Sequence, residues 1–174
     1  MSILDWLRTA SANTSTAGDT ETVRRIVAEL DKLEPARARH LAAFAYILSR
    51  VASADLHVSD VETATMVDLV RREGDLPEAQ AMIVVEIAKS QSRLSGGTEN
   101  FLVTREFREI ASDAECRALL GCLFAVSAAD EAISSEEEAQ IGQIARELGI
   151  PHAEYLEVRL AYSDKRTVLR RNDR

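Results

Sequence analysis

The chain has 174 residues, enough for one sizeable core and short of two ordinary domains. Hydrophobic residues make up 46% and charged residues 29%, a soluble globular balance, and 21 basic against 29 acidic residues leave a net charge of -8 that disfavours non-specific nucleic-acid binding. No apolar run approaches the roughly 18 residues of a membrane span, and no basic region followed by an apolar core marks a secretory signal. Cys116 and Cys122 form neither a metal nor a redox spacing, so the expectation is a cytoplasmic protein with two reduced, mostly buried thiols.

In chain order, "MSILDWLRTA" is a short amphipathic stretch carrying Ile3, Leu4, Trp6 and Leu7, and "SANTSTAGD" is a polar linker. Residues 1–18 are thus read as a leading segment and 19–174 as a single helical domain. Asp19 is placed to N-cap a helix running to about Leu33, and Pro35 to open the next at a position helices tolerate. There Leu41, Phe44, Ala45, Leu48, Val51 and Ala52 make one apolar face, ending near Ala54–Asp55. A helix over Ser59–Glu73 is stopped by Gly74, and Pro77 opens another to about Ser90. "SQSRLSGGTEN" reads as an internal loop broken by Gly96–Gly97. Helices are then predicted over Glu99–Ile110, Asp113–Ala129, Ser135–Leu148 and His152–Tyr162, before a basic tail with Arg166, Arg170, Arg171 and Arg174. The expected fold is all-α, a compact multi-helix domain with no strand.

Two stretches echo one another at an offset of 75. Asp55 matches Asp130, Val58 matches Ile133, Ser59 matches Ser134, and Glu62 matches Glu137; Met66, Leu69 and Gly74 match Ile141, Ile144 and Gly149. Upstream, Phe44, Leu48 and Val51 match Leu119, Leu123 and Val126. The copies, about 40–90 and 115–162, each read as helix, acidic turn, helix and glycine stop, then a helix opened near a proline. Neither buries its apolar faces alone, so an internally duplicated pair of helix-turn-helix units, packed face to face about a pseudo-two-fold axis, is expected.

The acidic turns have two readings. Ser59 with Glu62 and Ser134 with Glu137 form Ser-x-x-Glu capping boxes, which satisfy backbone donors at a helix start. Glu136 and Glu138 add negative charge where the helix macrodipole favours it, and Glu131 widens the acidic patch. Asp55 and Asp130 fall where a helix is predicted to end, and there the dipole disfavours a carboxylate. An Asx-type bond to the loop offsets that cost, and so does a bound cation. Asp130, Ile133 and Glu137 occupy the fifth, eighth and twelfth positions of an EF-hand loop, as do Asp55, Val58 and Glu62. The first and third ligand positions, however, hold Val126 and Ala128 in one copy and Val51 and Ser53 in the other, which excludes a complete EF-hand.

The stretches "VASADLHVSDVE" and "AVSAADEAISSEEEAQIGQIARELGIPHAEY" resemble the TerB family of tellurite-resistance-associated proteins, which is also related to the N-terminal region of some J-domain co-chaperones. The resemblance covers roughly residues 40–160, and "MSILDWLRTA" also looks like the family's N-terminus. It implies an all-helical, internally duplicated fold and a cytoplasmic stress-response protein proposed to bind metal through acidic residues. Carried over position by position, the metal candidates are Asp55, Glu62, Asp130 and Glu137. Two departures stand out. Leu56 and Glu131 replace the family's usual glycine, and the central loop has only Glu99 where relatives are often acid-rich.

Catalysis has little support. His40, His57 and His152 are scattered, neither cysteine sits in a nucleophile motif, and Gly96–Gly97 lacks the lysine ending of a phosphate loop. The expected function is therefore non-enzymatic, without an organic cofactor: an acidic surface presented to a divalent cation or a protein partner. The alternative is a metal-independent interaction scaffold whose acidic turns are only helix caps.

Overall fold

The computed structural model describes residues 17–51, 60–91, 97–129 and 132–165. Eight α-helices are present among them: α1 (Ala17–Leu30), α2 (Pro35–Ser49), α3 (Asp60–Glu73), α4 (Glu78–Gln91), α5 (Gly97–Ile110), α6 (Asp113–Ala129), α7 (Ser135–Glu147) and α8 (His152–Leu160). A 3-10 turn at Ser163–Lys165 follows, and no strand element occurs among the described residues. The all-α expectation holds.

Two helices carry almost no polar face, and the others are arranged around them. α2 buries Ala38 and then every residue from His40 to Leu48, and α6 buries Cys116 and every residue from Leu119 to Ser127. A helix that is apolar all round belongs in an interior. α4 and α5 pack against α2, while α3, α7 and α8 pack against α6; α2 and α6 also touch, and α1 covers α4. Phe44 of α2 meets Phe107 of α5 edge-on, with ring centroids 6.1 Å apart, and Phe124 of α6 stacks on Tyr162 at 5.6 Å. Both cysteines are free and buried, as expected, and burial pushes both thiols up from their ordinary value.

The predicted bounds hold closely where caps are strong. α6 covers the predicted residues, and its start is a capping box: the Glu115 carboxylate accepts from the Ser112 N–H (2.8 Å) and the Glu115 N–H donates to the Ser112 hydroxyl (3.2 Å). Pro35 opens α2 as predicted, and the Glu34 carboxylate accepts from the N–H groups of Ala36 and Arg37. Elsewhere the bounds move. α1 starts at Ala17, so Asp19 lies inside the helix rather than capping it, and α5 starts at Gly97 rather than Glu99. α2 ends at Ser49, short of Ala54–Asp55, because Arg50 and Val51 bond back three residues to Ile47 and Leu48, which tightens the last turn. α8 ends at Leu160 in the same way, with Ala161 and Tyr162 bonding to Val158 and Arg159.

The glycine stop of α3 is the instructive correction. Gly74 does not take the left-handed conformation; Asp75 does, at φ 50°, and Leu76 N–H bonds to Arg71 C=O five residues back. In α7 the left-handed residue is Gly149, at φ 68°, and Ile150 N–H bonds to Ala145 C=O. α7 ends in a full Schellman closure, Gly149 N–H also bonding to Arg146 C=O, and α3 keeps the longer of the two bonds, with Leu76 and Ile150 as the apolar residues beyond the turn. Gly74 is a packing glycine instead. A Cβ there would lie 2.6 Å from the Val70 carbonyl oxygen and 3.3 Å from the Phe44 ring.

Candidate acidic-turn site

The second acidic turn is held from both sides. Upstream, α6 runs buried through Val126 and Ser127 to half-buried Ala128. Downstream, Ile133 is buried, and its N–H donates to the Lys165 carbonyl at 2.8 Å, which ties the turn to the 3-10 segment after α8. Ser134 then caps α7. Its hydroxyl accepts from the Glu137 N–H (3.1 Å), and Glu137 Oε2 accepts from the Ser134 N–H (2.8 Å), so the predicted capping box is complete. An N-cap of this kind contributes about 1 kcal/mol.

The neighbouring glutamates differ in their surroundings. Glu138 is engaged by the Arg159 guanidinium, whose Nε and Nη2 both donate to Oε1, the first at 2.8 Å. This pair links α7 to α8, with the Glu138 side chain only 13% exposed. Glu136 lies on the exposed side of the first turn, where its charge meets the helix dipole. Ser127, three residues before Asp130 in the chain, is 2% exposed, and its hydroxyl has no hydrogen-bond partner among the described residues.

Of the four candidate ligands, Glu137 is placed. Glu62 lies in the first turn of α3 by its backbone; its side chain, Asp55, His57 and Asp130 lie outside the described residues. Among the described residues no group of three or more His, Cys, Asp or Glu side chains is arranged to hold a metal ion. Glu137 has one carboxylate oxygen not used by the cap, Oε1, whereas a hard divalent cation takes six or more oxygens. Trp6 and the basic tail also lie outside the described residues.

Two polar constellations were not visible in the sequence. Arg50, at the C-terminal end of α2, is 4% exposed in its side chain and donates to Glu147 Oε2 (2.7 Å) and to the Thr104 hydroxyl (2.8 Å). Gln143 donates to the other Glu147 oxygen at 2.9 Å. Burial pushes the Glu147 carboxyl up, but the hydrogen bonds from Arg50, Gln143 and Thr104 more than offset it and leave its pKa below the ordinary value. The second constellation is His40, 5% exposed, whose Nε2 lies 3.7 Å from Glu115 and whose ring packs on Phe107 at 4.9 Å. Burial lowers the His40 pKa, outweighing the attraction of Glu115.

Fold and turns together define a class: an all-α protein with two buried central helices and a capped acidic turn between helices, of which no described helix is long and apolar enough to cross a membrane. The family model described as "Tellurite resistance protein TerB" matches residues 40–160, well over half of the chain, and the chain belongs to that family. No curated protein and no solved structure matches it.

Proposed function

We propose that this chain is a non-enzymatic, cytoplasmic stress-response module of the tellurite-resistance family, which acts by presenting its acidic inter-helix turns to a divalent cation. Membership of the family over residues 40–160 carries this reading. In the second turn Glu137 spends one carboxylate oxygen on the cap and keeps Oε1 for an outside ligand. Asp130, seven residues earlier in the chain, would add to its donors, as Asp55 would to Glu62 in the matching first turn, with backbone carbonyls and water filling the remaining positions. The chemistry such an ion supplies is neutralisation of the carboxylate charge in a turn.

A second reading is favoured by the completeness of the caps. Glu137 closes a capping box and Glu138 is bound by Arg159, so these glutamates need no ion. On that reading the module is a metal-independent interaction scaffold. Titration of the full chain with calcium, magnesium, manganese and zinc, followed by calorimetry and amide shifts, separates the two. Saturable binding below millimolar concentration that is lost in Asp55→Asn/Asp130→Asn supports the cation reading. No saturable binding, or binding unchanged in that variant, rejects it in favour of the scaffold.

A further inference from the structure

A cavity of about 420 Å³ opens between α7 and α8, within the range of small-molecule sites. Glu138, Gly142, Arg146, Ile150, His152 and Tyr155 are among its lining. Glu138 is already neutralised by Arg159. Arg146 is not neutralised. Among the described residues every arginine except Arg24 and Arg146 is in an ion pair. In a chain of net charge -8, an unpaired guanidinium at the edge of a cavity is a local exception.

The matched positions in α3 show how the exception arises. Arg71, 75 residues before Arg146, donates to Asp68 at 2.8 Å. The residue 75 after Asp68 is Gln143, which carries no charge and turns to Glu147. Arg146 therefore has no carboxylate in the place where Arg71 has one. The cavity itself has the same origin. The residue matching Val67, which packs against the core, is Gly142, and a Cβ at Gly142 would already lie 3.4 Å from the Tyr155 hydroxyl and 3.8 Å from Arg146 Nη1. Where α3 has a valine, α7 has a glycine beside the cavity, and where α3 has an aspartate, α7 has none to pair with Arg146. The opposite wall is apolar and aromatic: Ile150 packs on the core, and the His152 and Tyr155 rings stack at 6.1 Å.

We propose that this cavity binds a small organic anion, its carboxylate or phosphate head on Arg146 and its apolar body against Ile150 and the His152–Tyr155 wall. Arginine's planar fork suits either head group. The cavity shares Glu138 with the second acidic turn but is lined by none of the four candidate cation ligands. The test is titration of the full-length chain with benzoate, phenyl phosphate and inorganic phosphate, followed by amide shifts. The expected result is saturable shifts at Gly142, Ile150 and His152 with benzoate or phenyl phosphate, half-saturating at about 1–10 mM. The tighter of the two identifies the head, and inorganic phosphate, which lacks a body, binds at least about tenfold more weakly. Arg146→Met, at an exposed position, and Gly142→Val, which restores the α3 residue, each abolish the saturable shifts. Gln143→Asp, which restores the α3 carboxylate, weakens them. Absence of saturation with both organic probes overturns the proposal. So do shifts that persist in Arg146→Met, and so does inorganic phosphate binding as tightly as the organic probes.

Discussion

α3 and α7 are matched residue for residue at an offset of 75, yet they use charge in opposite ways. In α3, Asp68 gathers Arg71 (2.8 Å) and Arg72 (3.0 Å) on an exposed face, and the helix closes on itself. In α7 the three matching positions hold Gln143, Arg146 and Glu147. Glu147 turns inward to Arg50 of α2, Gln143 follows it, and Arg146 is left at the cavity. One apolar position does the same packing work in both helices, Met66 and Ile141 both being buried. Similar backbones can therefore carry different polar surfaces, and what distinguishes the halves is where the charges go.

The largest test of that contrast is Arg50. Its charge sits 4% exposed against Glu147 at 11%, so removing one partner leaves the other buried and uncompensated. Arg50→Met is expected to cost about 3–5 kcal/mol in urea unfolding, and Arg50→Met/Glu147→Met to recover much of it. Arg72→Met, at the position in α3 that matches Glu147, is expected to leave the urea midpoint nearly unchanged, because its pair with Asp68 is exposed. Equal costs for Arg50 and Arg72 would show that the inward turn of α7 contributes nothing to stability.

The two helix ends come next. Gly74→Ala forces a methyl against the Val70 carbonyl and the Phe44 ring and is expected to cost about 1–3 kcal/mol. Gly149→Ala meets no close neighbour, but at φ 68° it carries a left-handed penalty of about 1–2 kcal/mol. Asp75→Gly should stabilise by up to about 1 kcal/mol, since Asp75 holds the left-handed position in the first half. Thermal midpoints rank all three, and a destabilising Asp75→Gly would break the assignment of the stop to residue 75.

These same residues show what the sequence makes legible. The α6 bounds follow from a long apolar run behind Ser112, and the α7 cap from the spacing of Ser134 and Glu137, because local hydrogen bonding determines both. Gly74 misleads because a packing glycine and a left-handed glycine are the same letter; only the approach of Phe44 separates them. Arg50 and Glu147 are 97 residues apart, and an arginine ending an apolar helix reads as a surface group until a carboxylate arrives from elsewhere in the fold. Of the candidate ligands, the cap spacing made Glu137 legible as a helix-start residue, while the case for Asp130 rests on the family pattern and the helix dipole, and that for Asp55 on the family pattern alone, since α2 ends at Ser49. The cavity was not legible, because a glycine inside a helix does not say which neighbour its missing side chain faces.

The smallest effect expected is a pH dependence at His40 and Glu115, themselves a matched pair 75 residues apart and in contact at 3.7 Å. The contact joins α2 to α6, the two buried central helices, so it probes where they meet. Burial holds the folded His40 pKa below 6.5, despite Glu115 and with Arg37 assisting. The unfolded chain then binds the proton first as pH falls. His40's contribution is complete above 6.5 and is lost as pH drops through 6.5 toward the lowered value. Glu115 behaves differently. Burial raises its pKa, but the two hydrogen bonds from Ser112, with His40 and Arg37, bring it below 4.5. Its contribution persists until the pH falls below 4.5. Urea midpoints for the wild-type chain should therefore decline in two stages, beginning near 6.5 and again below 4.5, whereas His40→Gln should lose only the first stage. A first stage that survives in His40→Gln would move the titrating group away from the α2–α6 contact.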